Sequence, residues 1–244
     1  MNEQNSSSKR QAGFSLIELL IAMAITIAIT AVAGRLLAQS MNMRTRANEK
    51  VDALADAQRA LNVMSREIAE AGFNLSDNGI VAADSVTEAN GNSTIRIRSN
   101  LNKFNTDGNP WYVGGAVSSG AQTGIGVAGE DAGEDVKYFV YPAANTNLLA
   151  RYDAYGGGST VLANRLDSLH IHYFSQKVTY GTDGCDISAP SSGEVAPAAA
   201  TYVVIAVCVA QPAVGAPGSP GYQPATNVLL VSDVALRNSN LLIY

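Results

Sequence analysis

The chain has 244 residues and a formal charge of −5, with 47% apolar and only 15% charged residues. The apolar content excludes intrinsic disorder as the overall state, and the acidic balance removes the usual electrostatic footprint of a nucleic-acid binder. This length suits one large domain, or one domain with an appendage.

The averages hide an asymmetry. Residues 1–13 hold Lys9, Arg10 and Glu3, while residues 14–73 hold six basic and six acidic residues, two glycines and no proline. Residues 74–244 hold eight basic against fourteen acidic residues, nineteen glycines and all eight prolines. The chain thus reads as a short leader (1–13), an apolar segment (14–34), an amphipathic extension (35–73) and an acidic, turn-rich head (74–244).

From Phe14 to Ala33 the sequence carries one charge, Glu18. A helix of that length spans about 30 Å, enough to cross a bilayer core. The run can be read as a plain anchor, as a secretory signal cleaved after Ala31-Val32-Ala33, or as something more specialised. Glu18 argues against the first two, because a carboxylate in hydrocarbon costs about 2.5–3.5 kcal/mol near the bilayer centre and needs a partner.

Lys9-Arg10-Gln11-Ala12-Gly13 followed by Phe14-Ser15-Leu16-Ile17-Glu18 resembles the leader and mature start of a type IV prepilin, a match that covers roughly residues 9–38. The resemblance implies that prepilin peptidase cuts between Gly13 and Phe14 and methylates the new amino group of Phe14. It also gives Glu18 its partner, the terminal amine of a neighbouring subunit in a filament. A buried amine and carboxylate together cost far less than either alone. The leader would stay in the cytoplasm and the head would enter the periplasm, anchored in the lipid of the bacterial inner membrane. Many major pilins of this type have a proline about twenty residues into the mature helix. This chain has Gly34 and Arg35 there, which points to a minor subunit.

Between Arg35 and Phe73 the apolar positions keep a helical period. Ala47, Leu54, Leu61 and Ile68 step by seven, and Ala57, Met64 and Ala71 form a second stripe. The seam suits either a free coiled coil or, as taken here, packing against the head, with Gly72 as the stop signal. Residues 14–72 would then form one helix about 90 Å long.

Downstream, strand-like runs fall near Thr94–Arg98, Val136–Tyr141, Leu148–Tyr152, Leu169–Phe174, Tyr202–Val209 and Asn227–Val231, with long loops at 105–133 and 181–200. No second helical pattern separates them, so the class is α+β, with a mainly antiparallel sheet packed on the helix. In the family's terms this is a type IV pilin fold. The blocks REIAEAGF (66–73), GEDVKYFVY (133–141), LLARYD (148–153), ANRLDSLHIHYF (163–174) and VALRN (234–238) are in addition similar, in order, to PilW-type minor pilins. They are more distantly similar to PulJ/GspJ-type minor pseudopilins of type II secretion. Those families imply a subunit that starts or tips a pilus or pseudopilus. Its partners would be prepilin peptidase, other minor pilins, the major pilin and the inner-membrane assembly platform. A further alternative is an adhesin-like head on a pilin anchor, with Trp111 and Tyr112 as contacts.

Enzymatic chemistry finds little support, and neither a nucleic acid nor a small-molecule substrate is expected. Gly124-Ile125-Gly126-Val127-Ala128-Gly129 matches a dinucleotide-loop pattern, but Glu130 and Asp131 follow where phosphates would sit. His170 and His172 share one face of a strand, where sheet packing is the expectation in a chain without a third histidine. No cofactor is expected. Glu130, Asp131, Glu134 and Asp135 form an oxygen-rich loop, read as solvated, with calcium as the alternative. Asp183 and Asp186 flank a turn and suggest less. Cys185 and Cys208 are the only cysteines. In an oxidising periplasm they would bridge, the alternative being two unlinked thiols.

Overall fold

The computed structural model describes residues 15–73, 75, 77–99, 133–143, 146–154, 157–218 and 222–237. The leader, Phe14, the glycine motif at 124–129, and Trp111 and Tyr112 lie outside the described residues. The chain divides into two compact units, 1–48 and 49–244.

One helix, α1 (Leu16–Ala69), follows from a proline-free sequence with apolar periodicity. In the first unit every described residue from Ser15 to Ala38 is exposed. In the second unit the helix buries Ala53, Ala57, Ala60, Leu61, Met64, Ile68 and Ala69, with Leu54 partly buried. The expected seam therefore meets the sheet, except that Ala47 is exposed. The alanines at 53, 57 and 60 are buried in the same core that Leu61, Met64 and Ile68 fill. Each of these three large side chains stabilises by about 1.5–3 kcal/mol.

The helix stops where the sequence predicts. Gly72 has φ +76°, and a Cβ there would lie 2.6 Å from the Asp77 carbonyl oxygen. Gly79 is tighter still, since its Cβ would fall 2.1 Å from the Gly72 nitrogen. The two glycines let the chain reverse against Arg98, whose carbonyl accepts the Gly72 N–H at 2.9 Å.

The strands are β1 (Ile95–Arg98), β2 (Asp135–Ala143), β3 (Thr146–Asp153), β4 (Gly158–Phe174), β5 (Gly181–Asp183), β6 (Asp186–Ser188), β7 (Tyr202–Gln211) and β8 (Thr226–Ala235). Six of them form an antiparallel sheet in the order β1-β2-β3-β4-β7-β8, and β5 pairs with β6 as a separate hairpin. All six expected strands are present. Two departures matter. β4 begins eleven residues before the expected Leu169, and 181–200 is not a plain loop because it contains β5 and β6.

β4 escaped a period-two reading because its core positions change phase. Ala163, Leu166 and Leu169 are buried in steps of three, and the register shifts against both β3 and β7 in this stretch. Arg165 sits at the irregularity with φ +58°, a conformation that costs a non-glycine residue roughly 1–3 kcal/mol. Its guanidinium meets Glu49 of α1 at 3.0 Å. Past this bend β3 no longer covers the edge of β4. Asn92 and Ser93 fill it instead: the Ser93 N–H donates to the Leu169 carbonyl at 2.7 Å, and the Ile171 N–H donates to Ser93 Oγ at 3.0 Å.

β7 explains the second layer. Tyr202–Val209 are buried at every position, the mark of a strand covered on both faces. Val203, Ile205, Val207 and Val209 join the core under α1. Tyr202 and Val204 pack on the other face with Phe174 and Val178, against Tyr180, Ile187 and Val231. Residues 175–200, which carry the β5–β6 hairpin, therefore cover the outer face of the β4–β7–β8 region.

Candidate functional site

The first candidate is the amino-terminal part of α1. Glu18 lies in the first turn, where a carboxylate suits the helix dipole, and its side chain is exposed. Around it Leu16, Ile17, Leu19, Leu20, Ile21 and Met23 are all more than half exposed. The helix is long and apolar enough to cross a membrane, and its most apolar stretch buries nothing within the chain. Such a surface is stable only in lipid or against other helices. Gly13 and Phe14, the predicted processing residues, precede the described residues.

Polar clamps fix the distal helix to the sheet. Glu67 accepts from the Tyr138 hydroxyl and from Arg151 Nε, which lies 3.0 Å from its Oε2. Arg151 also reaches Asp153 at 3.2 Å. Burial and the neighbouring Glu67 carboxylate push the Tyr138 phenol far above its ordinary pKa. Burial disfavours charge on Arg151, but the Glu67 contact overrides it and raises that pKa.

The expected oxygen-rich loop divides. Glu130 and Asp131 are outside the described residues, whereas Glu134 and Asp135 are buried rather than solvated. The Asp135 carboxylate accepts from Arg96 at 2.7 Å and from Arg98 at 2.8 Å. Arg96 also reaches Asp84 at 2.8 Å, and that contact holds the Asp84 pKa below its ordinary value. Asp135 thus serves β1–β2 pairing.

Cys185 and Cys208 form a disulfide with a Cα–Cα distance of 5.3 Å. Asp167 stands beside Cys185 Sγ at 3.3 Å, but oxidised sulfurs offer no thiolate to a metal. The bridge pins the β5–β6 turn to β7 and brings Asp186 over β4.

There the histidines depart from the sheet-packing expectation. Leu169, Ile171 and Tyr173 face the core, so His170 and His172 face outward beneath the hairpin. His172 Nε2 lies 2.7 Å from Asp186 Oδ1, and its Nδ1 lies 2.8 Å from Glu194 Oε1. His170 Nδ1 lies 3.7 Å from Asp186 Oδ2. Burial of the His172 ring opposes its charge, but the bonds to Glu194 and Asp186 outweigh burial and raise its pKa. Asp186 and Glu194 are sixteen or more residues from His170 in sequence, and nothing local links them to it. The available signal was indirect: the unbroken apolar run of β7 required a covering layer.

A cleft of about 800 Å³ opens at the β4 bend between Glu49, Asn147, Asn164, Arg165, Asp167 and Asn227. Its polar lining is already engaged in part, since Asn227 Nδ2 lies 3.3 Å from Asp167 Oδ2.

Among known proteins, the family model for the prokaryotic N-terminal methylation motif matches residues 8–34. No curated protein and no solved structure matches the chain. The motif supports a type IV pilin-like protein processed by prepilin peptidase, and the long amino-terminal helix with a large antiparallel sheet is consistent with an α+β type IV pilin fold.

Proposed function

We propose that the chain is a minor type IV pilin of the PilW kind, which helps to initiate or tip a pilus. It waits in the inner membrane with its leader in the cytoplasm and its head in the periplasm. It is clipped after Gly13 and methylated on Phe14, and then joins other minor subunits and the major pilin. The observation that carries this reading is a helix whose apolar residues from Leu16 to Ala38 are exposed, with Glu18 as its single charge before Arg35. A simple anchor gains nothing from that carboxylate. A subunit whose neighbour presents a terminal amine gains both charge neutralisation and register.

The test compares wild type with Glu18→Ala in sheared surface filaments and in the membrane fraction by quantitative mass spectrometry. Wild type should appear in filaments at a trace level relative to the major subunit. The variant should be processed but stay in the membrane. Processed wild type confined to the membrane would favour a type II secretion pseudopilin. Equal recovery of the Glu18→Ala variant in filaments would refute the role given to Glu18.

A further inference from the structure

We propose that His172 is a pH-sensitive latch: as an imidazolium it holds residues 186–194 down on β4, and on losing its proton it lets them lift. The latch belongs to the head alone and does not depend on how the subunit is assembled. Its place is set by two fixed points in the covering layer. Cys185 is bonded to Cys208 of β7, and the Val195 N–H donates to the Tyr173 carbonyl at 2.9 Å. Between these points β6 pairs only with β5, and the Ser191 N–H donates to the Thr179 carbonyl at 2.8 Å. Among the described residues, the backbone bonds of 186–194 thus stay within the covering layer. Its polar ties to the sheet are the carboxylates of Asp186 and Glu194, and both reach His172.

The chemistry of the ring makes these ties depend on a proton. Asp186 Oδ1 lies 2.7 Å from Nε2, and Glu194 Oε1 lies 2.8 Å from Nδ1. A neutral imidazole has one N–H and one lone pair, so it donates to one carboxylate and turns a lone pair on the other. The imidazolium donates to both. The Ile187 N–H, which donates to Asp186 Oδ1 at 2.7 Å, keeps that carboxylate aimed at the ring. The other groups nearby leave this balance in place. His170 Nδ1 lies 3.7 Å from Asp186 Oδ2, beyond hydrogen-bond distance. On β7 the residue opposite His172 is Val204. On β8, Asp233 pairs with Val204 but accepts from the Tyr180 hydroxyl. Asp167 of β4 lies beside Cys185 and Asn227. Asp183, opposite Asp186 in the hairpin, and Lys177, in the turn after β4, are both exposed. Among the described residues, no lysine or arginine pairs with Asp186 or Glu194.

The direction of the response follows from the two states of the ring. Burial opposes its charge, but the bonds to Glu194 and Asp186 outweigh burial and hold the folded pKa above the ordinary value. Lifting the segment removes both carboxylates and returns the ring to about 6.5. The hold is therefore complete below about pH 6.5 and is lost as pH rises through the folded value. Each opening releases one proton over that window, so the opening constant climbs up to about tenfold per pH unit and then levels off. The disulfide and the Val195 bond confine the movement to 186–194. Ile187, which packs on the Phe174, Val178, Tyr202 and Val204 cluster, travels with the segment, so opening uncovers that apolar cluster.

The test uses the full mature chain in detergent, untagged and with its disulfide intact, and compares wild type with His172→Gln and Glu194→Gln. The chain has two histidines, so nuclear magnetic resonance of the ring protons shows two titrations, and His172→Gln identifies its own by removing it. The His172 signal should titrate above about pH 6.5 in wild type and move down in Glu194→Gln. Subtilisin cleavage between residues 186 and 194, located by mass, reads the opening. At about pH 6 His172→Gln should be cut roughly tenfold faster than wild type, and the ratio should fall as pH rises toward about 9. Comparing variant with wild type at each pH cancels the protease's own pH dependence. The Glu194 side chain is half exposed, so Glu194→Gln keeps the head folded and should bring the onset of cleavage to lower pH even if His172→Gln does not fold. A His172 signal at or below about pH 6.5, a cleavage ratio that does not change with pH, or a Glu194→Gln profile superimposed on wild type would overturn the proposal and leave the cluster as a static ion pair.

Discussion

Replacing Glu67 with alanine gives the sharpest test of how the helix is held to the sheet. In the native head its carboxylate receives the Tyr138 hydroxyl and Arg151 Nε, with about four-fifths of the Glu67 and Arg151 side chains buried. Truncation strands a buried guanidinium, leaving it Asp153 at 3.2 Å, and leaves a fully buried phenol without its acceptor. Breaking a buried pair by removing one partner costs about 3–5 kcal/mol, against about 0–1 for an exposed pair. For a domain of this size that is a fall in thermal midpoint of roughly 10 °C. The assay is thermal unfolding of the mature chain in detergent, followed by near-ultraviolet circular dichroism. Glu67→Gln should fall between wild type and Glu67→Ala, because it keeps an acceptor for Tyr138 but loses the charge facing Arg151. A Glu67→Ala midpoint within about 2 °C of wild type would place the triad among exposed ion pairs and refute the argument.

Further outcomes follow from the same head. Because burial beside Glu67 raises the folded pKa of Tyr138, its contribution to stability is complete below the unfolded value of about 10 and is lost as pH rises from there toward the folded value. Stability should fall above about pH 10 by up to roughly 1.4 kcal/mol per pH unit from this group. Tyr138→Phe should lose that share of the slope, while Tyr202, pushed up to about 12 by burial and Asp233, retains its own. A Tyr138→Phe profile parallel to wild type would contradict the assignment. Removing the bridge with the pair Cys185→Ser and Cys208→Ser, which opens a separation of 23 residues, should cost about 3 kcal/mol. Reductant should lower the midpoint of wild type but not of the double variant, and no response of wild type would count against the bridge.

The parts legible in the sequence were those whose signals are local. Glu18 in a charge-free run, the seam at Leu54, Ala57, Leu61, Met64 and Ile68, and the Gly72 stop each need only a turn or two of context. Ala47 continued the seven-residue step on paper but lies outside the unit where the sheet covers the helix. The first half of β4 was hidden because register shifts against β3 and β7 change the phase of Ala163, Leu166 and Leu169, so no alternation survives to be read. β5 and β6 are three residues each, too short for a pattern, and are held by the distant disulfide and by Tyr180 contacting Asp233. The His170–His172–Asp186–Glu194 cluster depends on that same cover, so it became visible only once the chain was folded.

The central claim is that this is a pilin-type subunit whose working end is created by cleavage. It is tested most directly by the mass of the amino-terminal peptide of the protein taken from its native membrane. The account predicts a peptide that begins at Phe14 and carries one added methyl group on its amine. A chain beginning at Gly34 would make it an ordinary secreted protein, and one that retains residues 1–13 would leave Glu18 without the amine on which the mechanism depends.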